Sequence, residues 1–314
     1  MSSEYDTDMK KEEIQQDVGV TFVLEIRNGT PFKNMIDGFK QVANNMVFSF
    51  SKKEIYGSQY VEDLGILIGF RFSSHLLNKN MGINSESLNY TYNSSCEEFK
   101  CCLNLEQIKS KLMQISGRDG IRIYKESNDP LIYFKRIPYK QVDTNSDSVS
   151  YMSIMHMSKI EIYSSPTFDP DLKTDIFVES KSFKAELTPI VKSKQAKVSI
   201  EGSSDEIKFI GTGDANSPGA IVVFYKRKDG IKLLGLESLG LVKRQEAPFT
   251  VYSQVPNKIV KLLAKLNGNS TPTKSKNENR QVKISIQKDY PIAIESDIGD
   301  YGYANVYITQ TVKQ

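Results

Sequence analysis

The sequence predicts an α+β fold made of two similar units, and three observations carry that reading. At 314 residues the chain exceeds what one hydrophobic core usually organises, so two domains of roughly 150 residues each are expected. Short apolar runs bounded by Gly, Pro, Asn and Asp are interleaved with four segments of helical period. The same order of elements then occurs twice, over residues 20–157 and 174–314, which duplication of one unit explains.

Val20 to Ile26, rich in Val, Phe and Ile, reads as the first strand and stops at the turn residues Asn28-Gly29. A helix over 31–44 follows, with Thr30 as its N-cap and Pro31 at the first helical position. Phe32, Met35, Ile36, Phe39, Val42 and Ala43 recur along it at helical spacing. Met46 to Phe50 and Gly65 to Phe72 are strand-like. Asn104, with Gln107 three residues on, announces a second helix whose apolar face is Leu105, Ile108, Leu112 and Ile115. Ile121 to Lys125 and Leu131 to Arg136 form a strand pair turned at Asn128-Asp129-Pro130.

In the second unit Asp175 to Glu179 is strand-like and a helix spans 181–194. Val198 to Ile200, Glu206 to Ile210, Ala220 to Lys226 and Lys232 to Leu234 read as strands, and Pro256 opens a fourth helix through Leu266. Val282 to Gln287 and Ile292 to Ser296 repeat the closing strand pair, turned at Asp289-Tyr290-Pro291. Residues 158–173, with Ser164-Ser165-Pro166 and Asp169-Pro170-Asp171, have the composition of an extended connector. Residues 1–19 read as a polar tail and 267–280 as a mobile polar loop.

Several function classes drop away. Hydrophobic residues at 39% and charged residues at 25% suit a chain with a packed core rather than a disordered or collagen-like one. No apolar run approaches the roughly 18 residues that cross a bilayer, and Met1 to Asp17 is too polar for a signal peptide, so an intracellular, soluble protein with no membrane partner is expected. Cys96, Cys101 and Cys102 read as reduced thiols. His75 and His156 stand at no ligand spacing from them, so neither metal nor cofactor is expected. Gly211-Thr212-Gly213 lies between two strands, lacks the helix N-terminus that would hold a phosphate, and reads as a hairpin loop. Without a nucleophile beside a base or a motif of paired carboxylates, the expectation is a protein that performs no catalysis.

Charge points to a partner. The net charge is only +3, yet the four helical stretches hold 11 lysines against three carboxylates, Asp37, Glu106 and Glu186. They therefore carry +8, and the rest of the chain carries −5. One lysine-rich helix is an ordinary solvated face, but four packed side by side on sheets would present a single positive surface. These stretches contain no arginine, so sequence-independent phosphate contact is expected rather than bidentate base reading. Phe32, Phe39 and Phe183 fall on the apolar stripes, which leaves no stacking platform for single strands and favours a duplex.

Asp289-Tyr290-Pro291-Ile292-Ala293-Ile294-Glu295, then Ile298-Gly299-Asp300-Tyr301-Gly302 and Tyr307-Ile308, resemble the closing strands of DNA sliding clamps of the proliferating cell nuclear antigen (PCNA) family. Asn28-Gly29-Thr30-Pro31-Phe32-Lys33, Asn104-Leu105, and Lys197 to Ile200 through Ile207 to Gly213 match in the same order, so the likeness covers about residues 20–310. The resemblance implies two clamp-fold domains per chain, with antiparallel sheets outside and two helices per domain on the inner face. It further implies a homotrimeric ring around double-stranded DNA that serves DNA polymerase as a processivity factor, with a clamp loader and other clients as partners, in the nucleus or at a cytoplasmic viral replication site.

By the same resemblance Lys33, Lys40 and Lys261 face the DNA, and Lys109, Lys111, Lys184, Lys192, Lys258 and Lys265 join them as residues of the same helices. Tyr163 and Pro166 of the connector, with Pro291, Tyr307 and Ile308, form the pocket for short hydrophobic and aromatic client motifs. The subunit contact pairs Ser150 to His156, through Tyr151, Ser153 and Met155, with Ala220 to Lys226, through Ile221, Val223 and Tyr225. Pro189 inside the third helix is expected to kink or shorten it. Ser110 and Ala185 stand where the family is basic, which fits a specialised clamp of a large DNA virus or a divergent microbe. Alternative readings are a clamp-fold platform for transcription or repair, one member of a heterotrimer, and an enzyme with a dispersed site.

Overall fold

A computed structural model describes residues 19–73, 88–116, 119–138, 149–155, 161–192, 196–211, 219–226, 249–266, 281–299 and 302–312. The expected strand Lys232 to Leu234, residues 1–18 of the N-terminal tail, the loop 267–280 and both histidines lie outside the described residues. The first half runs β1 (Val20–Ile26), α1 (Thr30–Phe39), β2 (Asn45–Ser51), β3 (Glu54–Val61), β4 (Ile66–Ser73), β5 (Leu88–Tyr92), β6 (Glu98–Asn104), α2 (Leu105–Leu112), β7 (Gly120–Glu126), β8 (Leu131–Ile137) and β9 (Val149–Ser153). The second runs β10 (Thr174–Glu179), α3 (Ser180–Lys192), β11 (Lys197–Ser203), β12 (Glu206–Gly211), β13 (Ala220–Tyr225), β14 (Thr250–Pro256), α4 (Asn257–Leu266), β15 (Gln281–Ile286), β16 (Ile292–Ile298) and β17 (Gly302–Ile308).

Every strand pair described is antiparallel, and period-two burial shows why. In β1, Phe22, Leu24 and Ile26 all point into the core, and in β15 Val282, Ile284 and Ile286 do the same. Three sheets result, in the orders β5-β1-β7-β8-β9, β10-β15-β16-β17-β4-β3-β2-β6 and β13-β12-β11-β14. The arrangement repeats itself. β1-β7-β8-β9 in the first half has the same connectivity as β10-β15-β16-β17 in the second, and β6-β2-β3-β4 the same as β14-β11-β12-β13. The halves join through β17 and β4, with Val306 opposite Ile68 and Ala304 opposite Phe70, so the eight-stranded sheet belongs to both. One contiguous core runs through all three sheets and all four helices.

Local physics corrects several sequence expectations. Thr30 is the first helical residue rather than the N-cap. Gly29 occupies the cap, and the Asn28 side chain accepts from the Thr30 backbone N–H at 3.2 Å. The first helix ends at Phe39 instead of residue 44, because Gln41 and Val42 turn tightly onto Gly38 and Phe39 before β2 begins. Pro256 closes β14 instead of opening the last helix, and it sits opposite Lys197. Pro189 does not shorten α3, which continues to Lys192. Its missing N–H leaves the Ala185 carbonyl on an exposed stretch of helix, where water can satisfy it. The Asn104 cap is as expected, its side chain accepting from the Gln107 N–H at 3.0 Å. Gly211 lies opposite Ala220 in the β12–β13 hairpin.

The junction between the halves depends on one glycine. A Cβ on Gly302 would meet the Arg71 carbonyl oxygen at 2.2 Å, and backbone cannot give way as a side-chain tip can. Gly302→Ala is therefore expected to lower stability by about 1–3 kcal/mol, read as a lower urea midpoint. A midpoint equal to that of the parent chain would show that β17 does not press on β4 as described.

Candidate nucleic-acid interface

The four helices form one layer. α2 packs on α1, α1 on α4, and α4 on α3. Each buries one stripe: Phe32, Met35, Ile36 and Phe39 in α1; Leu105, Ile108 and Leu112 in α2; Phe183, Leu187 and Ile190 in α3; Ile259, Val260, Leu262 and Leu263 in α4. The central contact is close because Gly38 has no side chain, and a Cβ there would stand 3.2 Å from Leu262 Cδ1. At the outer seam the Asn257 side-chain amide donates to the Ile190 carbonyl at 3.2 Å, tying the start of α4 to the end of α3.

With the apolar stripes turned to the sheets, the polar stripes share the other face. Lys33, Asp37 and Lys40 line α1; Lys258, Lys261 and Lys265 line α4; Lys181, Lys184 and Lys192 line α3. All nine predicted lysines lie within or directly at the end of these helices. Lys184, Lys192 and Lys261 are exposed, and Lys111 is half-buried. Four of the nine have their ammonium groups held by groups on neighbouring elements. Lys33 Nζ donates to the Ile115 carbonyl at 2.9 Å, Lys40 pairs with Glu106, Lys109 Nζ lies 2.6 Å from Asp37 Oδ1, and Lys265 pairs with Asp37 Oδ2. Lys40 and Lys258 line one groove at the end of α1. Burial pushes the Asp37 carboxyl up, but the Lys109 and Lys265 ammonium groups outweigh it and hold its pKa below the ordinary 3.8.

On the opposite side the connector lies along the eight-stranded sheet. The Tyr163 N–H donates to Ser58 Oγ at 3.1 Å, its carbonyl accepts from the Tyr56 hydroxyl, and its ring meets Tyr60 at 5.7 Å. Asp169 N–H donates to Gln287 Oε1 at 3.1 Å, and Phe168 packs on Tyr290. Tyr307 is covered here; burial raises its pKa, opposed by a hydrogen bond with Ser165. Pro166 and Pro291 are half-buried at the surface, whereas Ile308 faces the core at 1% exposure and cannot line a pocket beside the connector.

β9 and β13 are both sheet edges. Tyr151, Val149, Ile221 and Tyr225 expose 59%, 44%, 67% and 64% of their surface there, unusual for apolar and aromatic strand residues. Val223 is half-buried and Ser153 exposed. Met155 departs from the expected edge, because its N–H donates to the Cys102 carbonyl at 3.1 Å and turns the chain back onto β6. Two residues escaped the sequence reading of these surfaces: Lys181, which helical spacing from Lys184 and Lys192 could have revealed, and Val149, one alternation from Tyr151.

The depressed Asp37 pKa carries a stability consequence. A carboxylate with a lower pKa in the folded state stabilises above its unfolded value, and that stabilisation is lost as pH falls below 3.8 through the folded value. Relative to Asp37→Asn, the parent chain is expected to lose stability over that acid window and to hold a constant difference above it. Chemical denaturation across the pH range checks this, and a difference that persists unchanged below the window would contradict the bridge.

Comparison of the sequence with protein-family models and with curated proteins returns no match.

Proposed function

We propose that the chain is a DNA sliding clamp of the PCNA type, a ring-forming processivity factor that encircles duplex DNA, tethers a DNA polymerase and performs no chemistry. The observation that supports this reading is the pairing of β17 with β4 inside the chain while their topological counterparts, β9 and β13, are sheet edges with exposed apolar side chains among the described residues. A contact repeated head to tail between unlike edges closes into a ring when its rotation closes. Each junction of two such edges satisfies the strand ends and covers the exposed Tyr151, Val149, Ile221 and Tyr225. With two units per chain, three chains would make the ring, as in the clamps that the sequence resembles.

The helical layer supports duplex DNA as the occupant. Its cations are lysines on flexible stems, suited to delocalised phosphate attraction that persists as the protein slides. Persistence on DNA then comes from closure rather than from affinity, since release requires a protein interface to open. The connector and the surface around Pro166, Tyr163 and Pro291 remain the surface for client peptides, on the side of the sheet away from the helices. A nuclear or viral replication site and a clamp loader belong to this reading. No helix among the described residues is long and apolar enough to cross a membrane.

Two experiments test it. Tyr151→Asp or Ile221→Asp, each placing a charge on an exposed edge residue that the core does not need, is expected to convert the assembly to single chains by size-exclusion chromatography with light scattering. A parent chain that is itself a monomer at every concentration tested would defeat the ring. Changing Lys181, Lys192 and Lys261 together to Glu is expected to weaken binding to a short linear duplex at least about tenfold at low salt and to flatten its salt slope, while leaving the unfolding free energy within about 0.5 kcal/mol of the parent. Duplex affinity and salt slope equal to those of the parent would remove the helical layer as the DNA face.

A further inference from the structure

Resting on the duplex-binding reading above, we propose that Asp37 and Glu106 are internal counterions that hold duplex affinity down by occupying three of the lysines on the helical face. Asp37 stands on the polar stripe of α1, between α2 and α4. One of its carboxylate oxygens is 2.6 Å from Lys109 Nζ, and the other meets Lys265 Nζ. Glu106, at the first turn of α2, meets Lys40 at the end of α1. These pairs are on the surface. Side-chain exposures of 26% for Asp37, 32% for Lys109 and 41% for Lys265 keep the ammonium groups within reach of an outside phosphate. A carboxylate and a phosphate therefore compete for the same lysines.

The consequence is an uneven face. No ion pair among the described residues involves Lys181, Lys192 or Lys261, which stand on α3 and α4, whereas Lys40 and Lys109 on the α1 and α2 side are held. Lys181, Lys192 and Lys261 meet phosphate as they stand, whereas Lys40, Lys109 and Lys265 contribute only when Glu106 and Asp37 let go. Each lysine that gains a phosphate releases condensed counterions and adds about 0.9 to the magnitude of the salt slope of binding. A carboxylate that keeps a lysine occupied lowers both slope and affinity without altering the fold. For a protein that must move along its partner, weak contact of this kind is an advantage.

The test measures binding of the intact protein to a short linear DNA duplex by fluorescence anisotropy across a salt series. Asp37→Asn, which frees two lysines, is expected to steepen the slope by roughly 1 to 2, and Glu106→Gln by roughly 1, each with about three- to tenfold tighter binding at low salt. Glu106 is 59% exposed, so its variant will fold even if Asp37→Asn does not. Glu186→Gln is the control. It removes the same charge from an exposed site on α3 that holds no lysine among the described residues, and its slope is expected to match the parent. Equal steepening by Glu186→Gln would reduce the effect to net charge and overturn the proposal. Salt-dependent binding by the parent with unchanged or weaker binding by both folded variants would overturn it while leaving the duplex reading intact. No salt-dependent binding by any of the proteins would bring down the duplex reading and this proposal with it.

Discussion

The packing of four short amphipathic helices edge to edge governs the rest of this molecule. None of the helices among the described residues exceeds 13 residues, a length at which an isolated helix is marginal in water, so each depends on burying its apolar stripe. The sheets accept those stripes from one side. Every polar stripe is thereby forced onto the other side, and the close approach at Gly38 makes the two halves of the chain contribute to one layer rather than two. Positive charge on this face is a result of packing: lysine is tolerated there because its stem covers neighbouring apolar surface while its ammonium remains in water.

The same constraint explains where the carboxylates are. Bringing α2, α1 and α4 together places Lys109 and Lys265 close to each other across α1, and a single aspartate between them relieves like-charge repulsion from both sides. Asp37 is thus structural and electrostatic at once. On the far side of the sheets the contacts around Tyr163 and Asp169 are uncharged: the connector is held there by backbone hydrogen bonds to Ser58, Tyr56 and Gln287 and by aromatic contacts.

Strongly periodic or punctuated elements were legible: the four helices, the hairpin turned at Asp129-Pro130, and its counterpart at Asp289-Tyr290-Pro291, where Asp289 adopts a left-handed φ of 62°. Elements without a pattern of their own were not. β3 contains Gly57, Ser58 and Gln59 and lacks clean alternation, yet it is a central strand because β2 and β4 flank it and the connector covers its outer face. β14 ends in a proline that reads as a helix start when only the following residues are considered. At Thr30 the cap moved by one residue because Asn28, two positions earlier, reaches the first free N–H.

Periodicity, turn chemistry and the segregation of lysine into helical stretches are local properties, so the chain's order determined the α+β class, the internal repeat and the basic character of the helices. Which lysines remain available, which strand edges are left open, and which side of β17 the connector covers depend on residues far apart in the chain meeting in space. Asp37 and Lys265 are 228 positions apart, and no spacing rule connects them. Only the folded packing, which decides what each charge and each edge finds beside it, could settle those points.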